Sequence, residues 1–164
     1  SEEKLKKTGA DFFICPDNTI HQAIPFVKKQ SNLTWLHIAE EVVQIIKRNN
    51  YLKTGILGTR YLMEGPVYPE FLEKQSISYE IPLTEQRQKI NQIIFNELVY
   101  GIITNESKRY FHDVIETFMN KGCDSVILGC TEIPLIVLPD ESPLPVLDST
   151  RILARAALKY AILD

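Results

Sequence analysis

Short apolar runs alternate along the chain with segments whose apolar positions recur every three or four residues. The runs "DFFIC" (11–15), "TGILG" (54–58), "ISYEIPL" (77–83), "SVILGC" (125–130) and "PLPVL" (143–147) have the length of strands, and most are bounded by Gly, Pro or Asp. Helical spacing joins Ile20, Ala23, Ile24 and Val27, then Ala39, Val42, Val43 and Ile46. It returns at Ile90, Ile93, Ile94 and Leu98, at Phe111, Val114, Ile115 and Phe118, and at Ile152, Ala156, Ala157 and Tyr160. Near-continuous apolar strands between such helices are covered on both faces, which predicts an α/β fold of parallel sheet flanked by helices.

One pattern occurs twice. Laid without gaps, "TGADFFICPDNTI" (8–20) and "KGCDSVILGCTEI" (121–133) pair Gly9 with Gly122, Asp11 with Asp124, Ile14 with Ile127 and Ile20 with Ile133. Each copy follows a helix, runs through an apolar strand and breaks into a polar turn before another helix. In this register Asp17 falls on Cys130, Asn18 on Thr131 and Thr19 on Glu132. Residues at the carboxyl ends of parallel strands face the crevice where such sheets bind ligands, and a helix start beside them offers N–H groups to an anion. Two lobes related by a pseudo-twofold axis would set Asp17 and Cys130 opposite each other across a cleft. The same residues have simpler uses. Asp17, Asn18, Thr19 and Thr131 all suit helix capping, and a lone cysteine such as Cys130 is commonly a buried structural thiol.

Composition narrows the field. A chain of 164 residues with 45% apolar content can bury the core of one domain or of two small lobes. A net charge of −3 gives no electrostatic reason to expect nucleic acid or an anionic membrane as partner. No apolar run approaches the roughly 20 residues that span a bilayer, and no signal-peptide pattern is visible. Three cysteines without framework spacing predict free thiols in a reducing cytosol. No metal site is expected, since Cys123 and Cys130 lack a CxxC spacing and the three histidines are scattered. Cys15 and Cys123, in or just before strands, are expected to be buried.

The segments "GAD…NTIH" (9–21), "GILGTRYLM" (55–63), "KINQIIFNEL" (89–98) and "GCDSVILGCTEIPLIV" (122–137) resemble the aspartate/glutamate racemases, and the resemblance runs through nearly the whole chain. It implies two pseudo-symmetric α/β lobes, no cofactor, and a catalytic pair with one member per lobe, usually both cysteines. Cys130 matches one member. Asp17 stands directly before Asn-Thr, where the family usually has the other cysteine. By the same resemblance Asn18, Thr19, Thr59 and Thr131 are expected to bind substrate, a small amino acid or carboxylate, in a cytoplasmic homodimer. Family members carry a further strand–helix segment ahead of "GADFF". The chain is therefore expected to begin inside an incomplete first lobe, residues 1–33 plus 143–164, with the second lobe at 34–142. His21 is expected to order the helix start and His37 to lie in the crossover between lobes.

Racemisation removes a weakly acidic α-proton from one face and returns one to the other, so two acid/base groups must flank Cα. A thiol, with an unperturbed pKa of about 8.5, suits this better than a carboxyl at about 3.9, a gap of roughly 6 kcal/mol in proton affinity. Burial of Asp17 in an apolar crevice is expected to recover much of that gap, because it raises carboxyls by roughly 3–5 units. The leading expectation is cofactor-independent racemisation of aspartate or glutamate by Asp17 and Cys130. The alternatives are a decarboxylase or isomerase of the same fold that uses Cys130 alone, and an inactive remnant that binds a carboxylate.

Overall fold

The apolar runs assemble into two parallel sheets in a computed structural model that describes residues 2–27 and 33–163. In the smaller, β1 (Phe12–Phe13) pairs with β2 (Thr34–Trp35). The larger contains β3 (Lys53–Leu57), β4 (Ser78–Glu80), β5 (Ser125–Leu128) and β6 (Val146–Asp148) in the order β4-β3-β5-β6, every pair parallel. The helices are α1 (Glu2–Lys7), α2 (Ile24–Val27), α3 (Ile38–Arg48), α4 (Arg60–Met63), α5 (Pro69–Lys74), α6 (Thr84–Asn96), α7 (Asn105–Asn120) and α8 (Ser149–Leu163).

The helical stripes cover the two faces of the larger sheet. Ile90, Ile93 and Ile94 of α6 join Phe111, Val114, Ile115 and Phe118 of α7 against Leu57, Val126 and Leu128. Ala39, Val42, Val43 and Ile46 of α3 close the other face over Ile56 and Ile127. Strand alternation thus sends successive residues of β3 and β5 into different cores. Gly55 is required where Phe118 crosses β3, since a Cβ there would meet the ring at 2.3 Å. Along α8, Leu153 packs with Leu36 and Ile38, while the expected stripe at Ile152, Ala156, Ala157 and Tyr160 is only half-buried. Tyr160 stacks at an angle on Phe12 with ring centroids 5.0 Å apart, so α8 ties the smaller sheet to α3.

The two sequence copies share a backbone course. After α1 and α7 the chain turns through Gly9 (φ 86°) and Gly122 (φ 81°), the left-handed conformation that glycine adopts without steric cost. Each then enters a strand, β1 or β5, and leaves it for a 3-10 turn, Thr19–Ala23 or Ile133–Leu135. Burial differs between the copies, since Ile14 and Ile20 are exposed where Ile127 and Ile133 are buried.

Several expected bounds shift. The 11–15 and 77–83 runs contain strands of two and three residues, and the last strand starts at Val146 rather than Pro143. Proline explains part of this, because Pro82, Pro143 and Pro145 cannot donate to a ladder. The short β2, α4 and α5 have no counterpart in the apolar pattern. Strand pairing also crosses the expected lobe boundaries of 33/34 and 142/143. It sets 34–35 beside β1 and 146–148 beside β5, with residues 28–32 outside the described chain.

Candidate active site

From β3 the chain crosses to β4 on one side, whereas β5 and β6 lie on the other. The order therefore reverses between β3 and β5, and the crevice beyond their carboxyl ends is where α/β sheets place ligands. Register pairs Leu57 with Leu128, and both strands continue into glycine, Gly58 and Gly129. A Cβ on Gly129 would lie 2.9 Å from the Leu57 carbonyl oxygen and 2.2 Å from the Leu62 side chain. The Gly129 N–H donates to that same carbonyl at 2.7 Å. This close approach carries the next residues, Thr59 and Cys130, to the rim of one crevice.

A cavity of about 320 Å³ occupies the crevice. Asp17, Asn18, Thr19, Thr59, Cys130 and Thr131 all line it, and Glu132 with the apolar side chains of Ile94, Phe95 and Val99 completes much of the wall. The two polar turns of the repeat thus meet in one cavity. Asp17 is exposed, and its Oδ1 accepts the Ile20 N–H at 2.9 Å. It therefore caps the 3-10 turn and borders the cavity together. The expected burial of its carboxylate is not found, because Pro16 and Asp17 sit on the outer lip of the turn, both exposed. Asn18 is buried, 3% exposed, and bonded at both ends of its amide. Its Oδ1 accepts from the Tyr68 hydroxyl at 2.6 Å and its Nδ2 donates to Ser149 Oγ at 3.0 Å. Ser149 in turn donates to the Leu128 carbonyl at 2.8 Å. Burial pushes the Tyr68 hydroxyl above its ordinary range, so it remains a donor. Thr59 caps α4 by accepting the Leu62 N–H at 3.4 Å, which leaves its own hydroxyl proton free to donate.

Cys130 is half-buried and donates to Glu132 Oε2 at 2.9 Å. Burial pushes its thiol up to about 12; the Glu132 bond and charge add to this, and the Asp17 charge contributes further. Burial alone would raise Glu132 as well, but hydrogen bonds from Cys130, Thr131 and the backbone outweigh it and hold the carboxyl below the glutamate range. The resting pair is therefore a thiol donating to a carboxylate. Glu132 is a site residue that sequence reasoning misses, although the repeat sets it opposite Thr19. Cys123 is buried as expected, its thiol pushed up to about 11 chiefly by burial. Cys15 departs from expectation and is half-buried, since β1 ends two residues before it.

The histidines lie outside this cavity. His21 is 1% exposed, its Nε2 donating to the Cys15 carbonyl at 2.9 Å and its Nδ1 accepting from Ile38 N at 3.4 Å. Burial lowers its pKa, so it braces the turn in the neutral form. His37 caps α3 through Nδ1, which accepts the Ala39 N–H at 3.2 Å. Among the described residues, His112, Asp113 and Glu116 bring ligand atoms within 4.8 Å of one another, but all three are exposed on α7, away from the crevice. No helix among the described residues is long and apolar enough to cross a membrane.

The sequence matches the Asp/Glu/Hydantoin racemase family over residues 2–157. It is 26% identical over 158 residues to the broad specificity amino-acid racemase RacX of Bacillus subtilis (strain 168), covering 94% of this chain and 66% of RacX. A crystal structure from Yersinia pestis, provisionally assigned as an Asp/Glu racemase, is 37% identical with a TM-score of 0.91, over 97% of this chain and 70% of that one. An aspartate racemase homologue from Pyrococcus horikoshii OT3 is 28% identical with a TM-score of 0.89, over 98% of this chain and 70% of that one. The chain thus spans about two-thirds of the length of these relatives, and it belongs to the Asp/Glu/hydantoin racemase family.

Proposed function

We propose that the protein carrying this chain is a cofactor-independent amino-acid racemase in which Asp17 and Cys130 exchange the α-proton on opposite faces of Cα. The observation that carries the reading is that the two equivalent turns of the repeat deliver Asp17 and Cys130 to the same cavity. Asp17 takes the α-proton as the anion, and Cys130, the thiol, returns one to the other face. The substrate carboxylate is held by the hydroxyls of Thr59 and Thr19, joined by Thr131 once its hydroxyl turns from Glu132 to the substrate, while Asn18 fixes the Asp17 turn. Glu132, bonded to the sulfur, is placed to relay to the thiolate left after turnover a proton taken up from water, while Asp17 releases the α-proton to water.

The reading extends to a cytoplasmic homodimer acting on a small amino acid. Aspartate or glutamate follows from the family resemblance. The wall qualifies that choice, since two carboxylates, Asp17 and Glu132, face three apolar side chains, Ile94, Phe95 and Val99. A neutral side chain is accommodated beside these groups at lower electrostatic cost than a second carboxylate.

The exposure of Asp17 and its bond to Ile20 favour a second reading, in which Cys130 and Glu132 act without it. One substitution separates the two. Asp17→Asn keeps a side chain that caps equally well but removes the proton acceptor. In the intact gene product, α-proton exchange in heavy water across a panel of acidic and neutral amino acids should fall by orders of magnitude. Exchange unchanged in Asp17→Asn but abolished in Cys130→Ser would leave the single-cysteine chemistry standing.

A further inference from the structure

Between α7 and the segment 136–143 lies a second cavity, of about 190 Å³, which shares no lining residue with the crevice. Its floor is apolar, built from Ile115, Ile136 and Val137, all buried, with Leu138 and Pro143 at its edge. Its rim is cationic, with Lys108 and Arg109 entering from the second turn of α7. Neither has a carboxylate within 4.0 Å among the described residues, so both are open to an anion in the cavity. His112 also borders the cavity, but its ring is drawn toward Asp113 and Glu116, 4.0 and 3.9 Å away on its own helix. The anionic contact therefore falls to Lys108 and Arg109.

We propose that this cavity is a binding site for a small monocarboxylate with an apolar, ring-sized body. Size supports the class, because 190 Å³ is below the roughly 300–1,000 Å³ of sites that take drug-sized ligands. Charge supports it too. Glu141 stands on the rim with the two cations, so the balance suits a single negative charge and disfavours a polyanion such as phosphate. The apolar floor supplies affinity and the paired cations orientation. Position gives the site a consequence. Ile136 and Val137 follow directly on the 3-10 turn after Cys130-Thr131-Glu132, and they pack in the same core cluster as Ile133 and Cys130. A ligand on this floor touches the segment that carries the thiol.

The test is an NMR titration of the full chain with 3-phenylpropanoate, with 3-phenylpropan-1-ol and inorganic phosphate as the body-only and charge-only probes. The acid should bind saturably and shift the Ile136 and Val137 amides. Lys108→Gln combined with Arg109→Gln, both surface changes, should weaken it at least about tenfold, with little effect from Cys130→Ser. The alcohol and phosphate should each bind at least about tenfold more weakly than the acid. Absence of saturable binding, equal binding of the alcohol or of phosphate, unchanged binding in the double variant, or loss of binding in Cys130→Ser would each overturn the proposal.

Discussion

The Tyr68 hydroxyl donates to Asn18 Oδ1 at 2.6 Å inside the protein, across fifty positions of sequence. Through Ser149 the same amide reaches the Leu128 carbonyl at the end of β5. The turn that carries Asp17 is thus fastened to the strand leading to Cys130 by two consecutive buried hydrogen bonds, with Tyr68 holding the other end of the same amide. Such a network rigidifies when every member is satisfied and is costly when one is lost.

Tyr68→Phe keeps the ring but strands Asn18 Oδ1 without its donor. Leaving a buried acceptor unpaired costs about 1–3 kcal/mol. The urea midpoint should fall accordingly with little change in slope. An unaltered midpoint would mean that the Asp17 turn is held by other contacts.

Alkaline pH should destabilise the fold through its buried thiols. Cys123 and Cys130 are pushed above the ordinary thiol range, up to about 11 and about 12. Between about 9 and these values the folded chain keeps protons that the unfolded chain has released, so stability falls as pH rises. Thermal melts from pH 8 to 11 should show a steeper decline in the parent than in Cys123→Ala or Cys130→Ala, each compared with its own value at pH 8. Parallel declines would place the alkaline loss elsewhere.

Much of this is legible in the sequence because burial enforces period. The stripes of α3, α6 and α7 and the strands at Thr54 and Ser125 can be read from apolar spacing alone, and the repeat brings Asp17 into register with Cys130. What stays hidden is set by contacts between distant segments. The two-residue strand at Thr34 is defined by pairing with Phe12, and no local pattern announces it. The Asn18 network requires Tyr68 and Ser149 to be brought together by folding. Glu132 escapes a sequence reading because a carboxylate in a turn usually faces water, and only the geometry sets it on the Cys130 sulfur. The burial expected for Asp17 fails for a similar reason, since a position at a strand end does not say which side of the turn meets solvent.

Gly129→Ala should be more damaging than Gly101→Ala. At Gly129 the added Cβ collides with the Leu57 carbonyl oxygen and the Leu62 side chain, so β3 and β5 must part where the crevice opens. Overpacking of this kind costs about 1–3 kcal/mol. At Gly101 nothing lies within 4 Å, and only the left-handed backbone (φ 72°) is penalised, by about 1–2 kcal/mol. Both substitutions lower stability, so the decisive readout is the cavity: only Gly129→Ala should alter the alkylation rate of Cys130. Equal effects of the two on that rate would show that the strand ends do not govern the thiol.

Glu132→Gln tests whether the carboxylate sets the state of the sulfur. Burial is the larger cause of the raised thiol, so the substitution should bring Cys130 only part of the way back toward its ordinary range. Removing the negative charge and the acceptor of the 2.9 Å bond makes the thiolate less costly to form. Iodoacetamide should then alkylate Cys130 faster in the variant at any pH below the parent thiol's value of about 12. The ratio of the two rates should narrow as the pH climbs toward that value and both proteins become thiolate. Greater access alone would raise the rate by a constant factor at every pH, so the pH profile distinguishes an electrostatic effect from a loosened turn. Exchange of the α-proton supplies an independent arm, because Glu132 acts through Cys130 and does not itself touch Cα. Glu132→Gln should slow exchange while Glu132→Asp, which keeps the charge, restores part of it. Full activity in Glu132→Gln with an unchanged alkylation profile would remove Glu132 from the chemistry and leave it as a bystander acid of the turn.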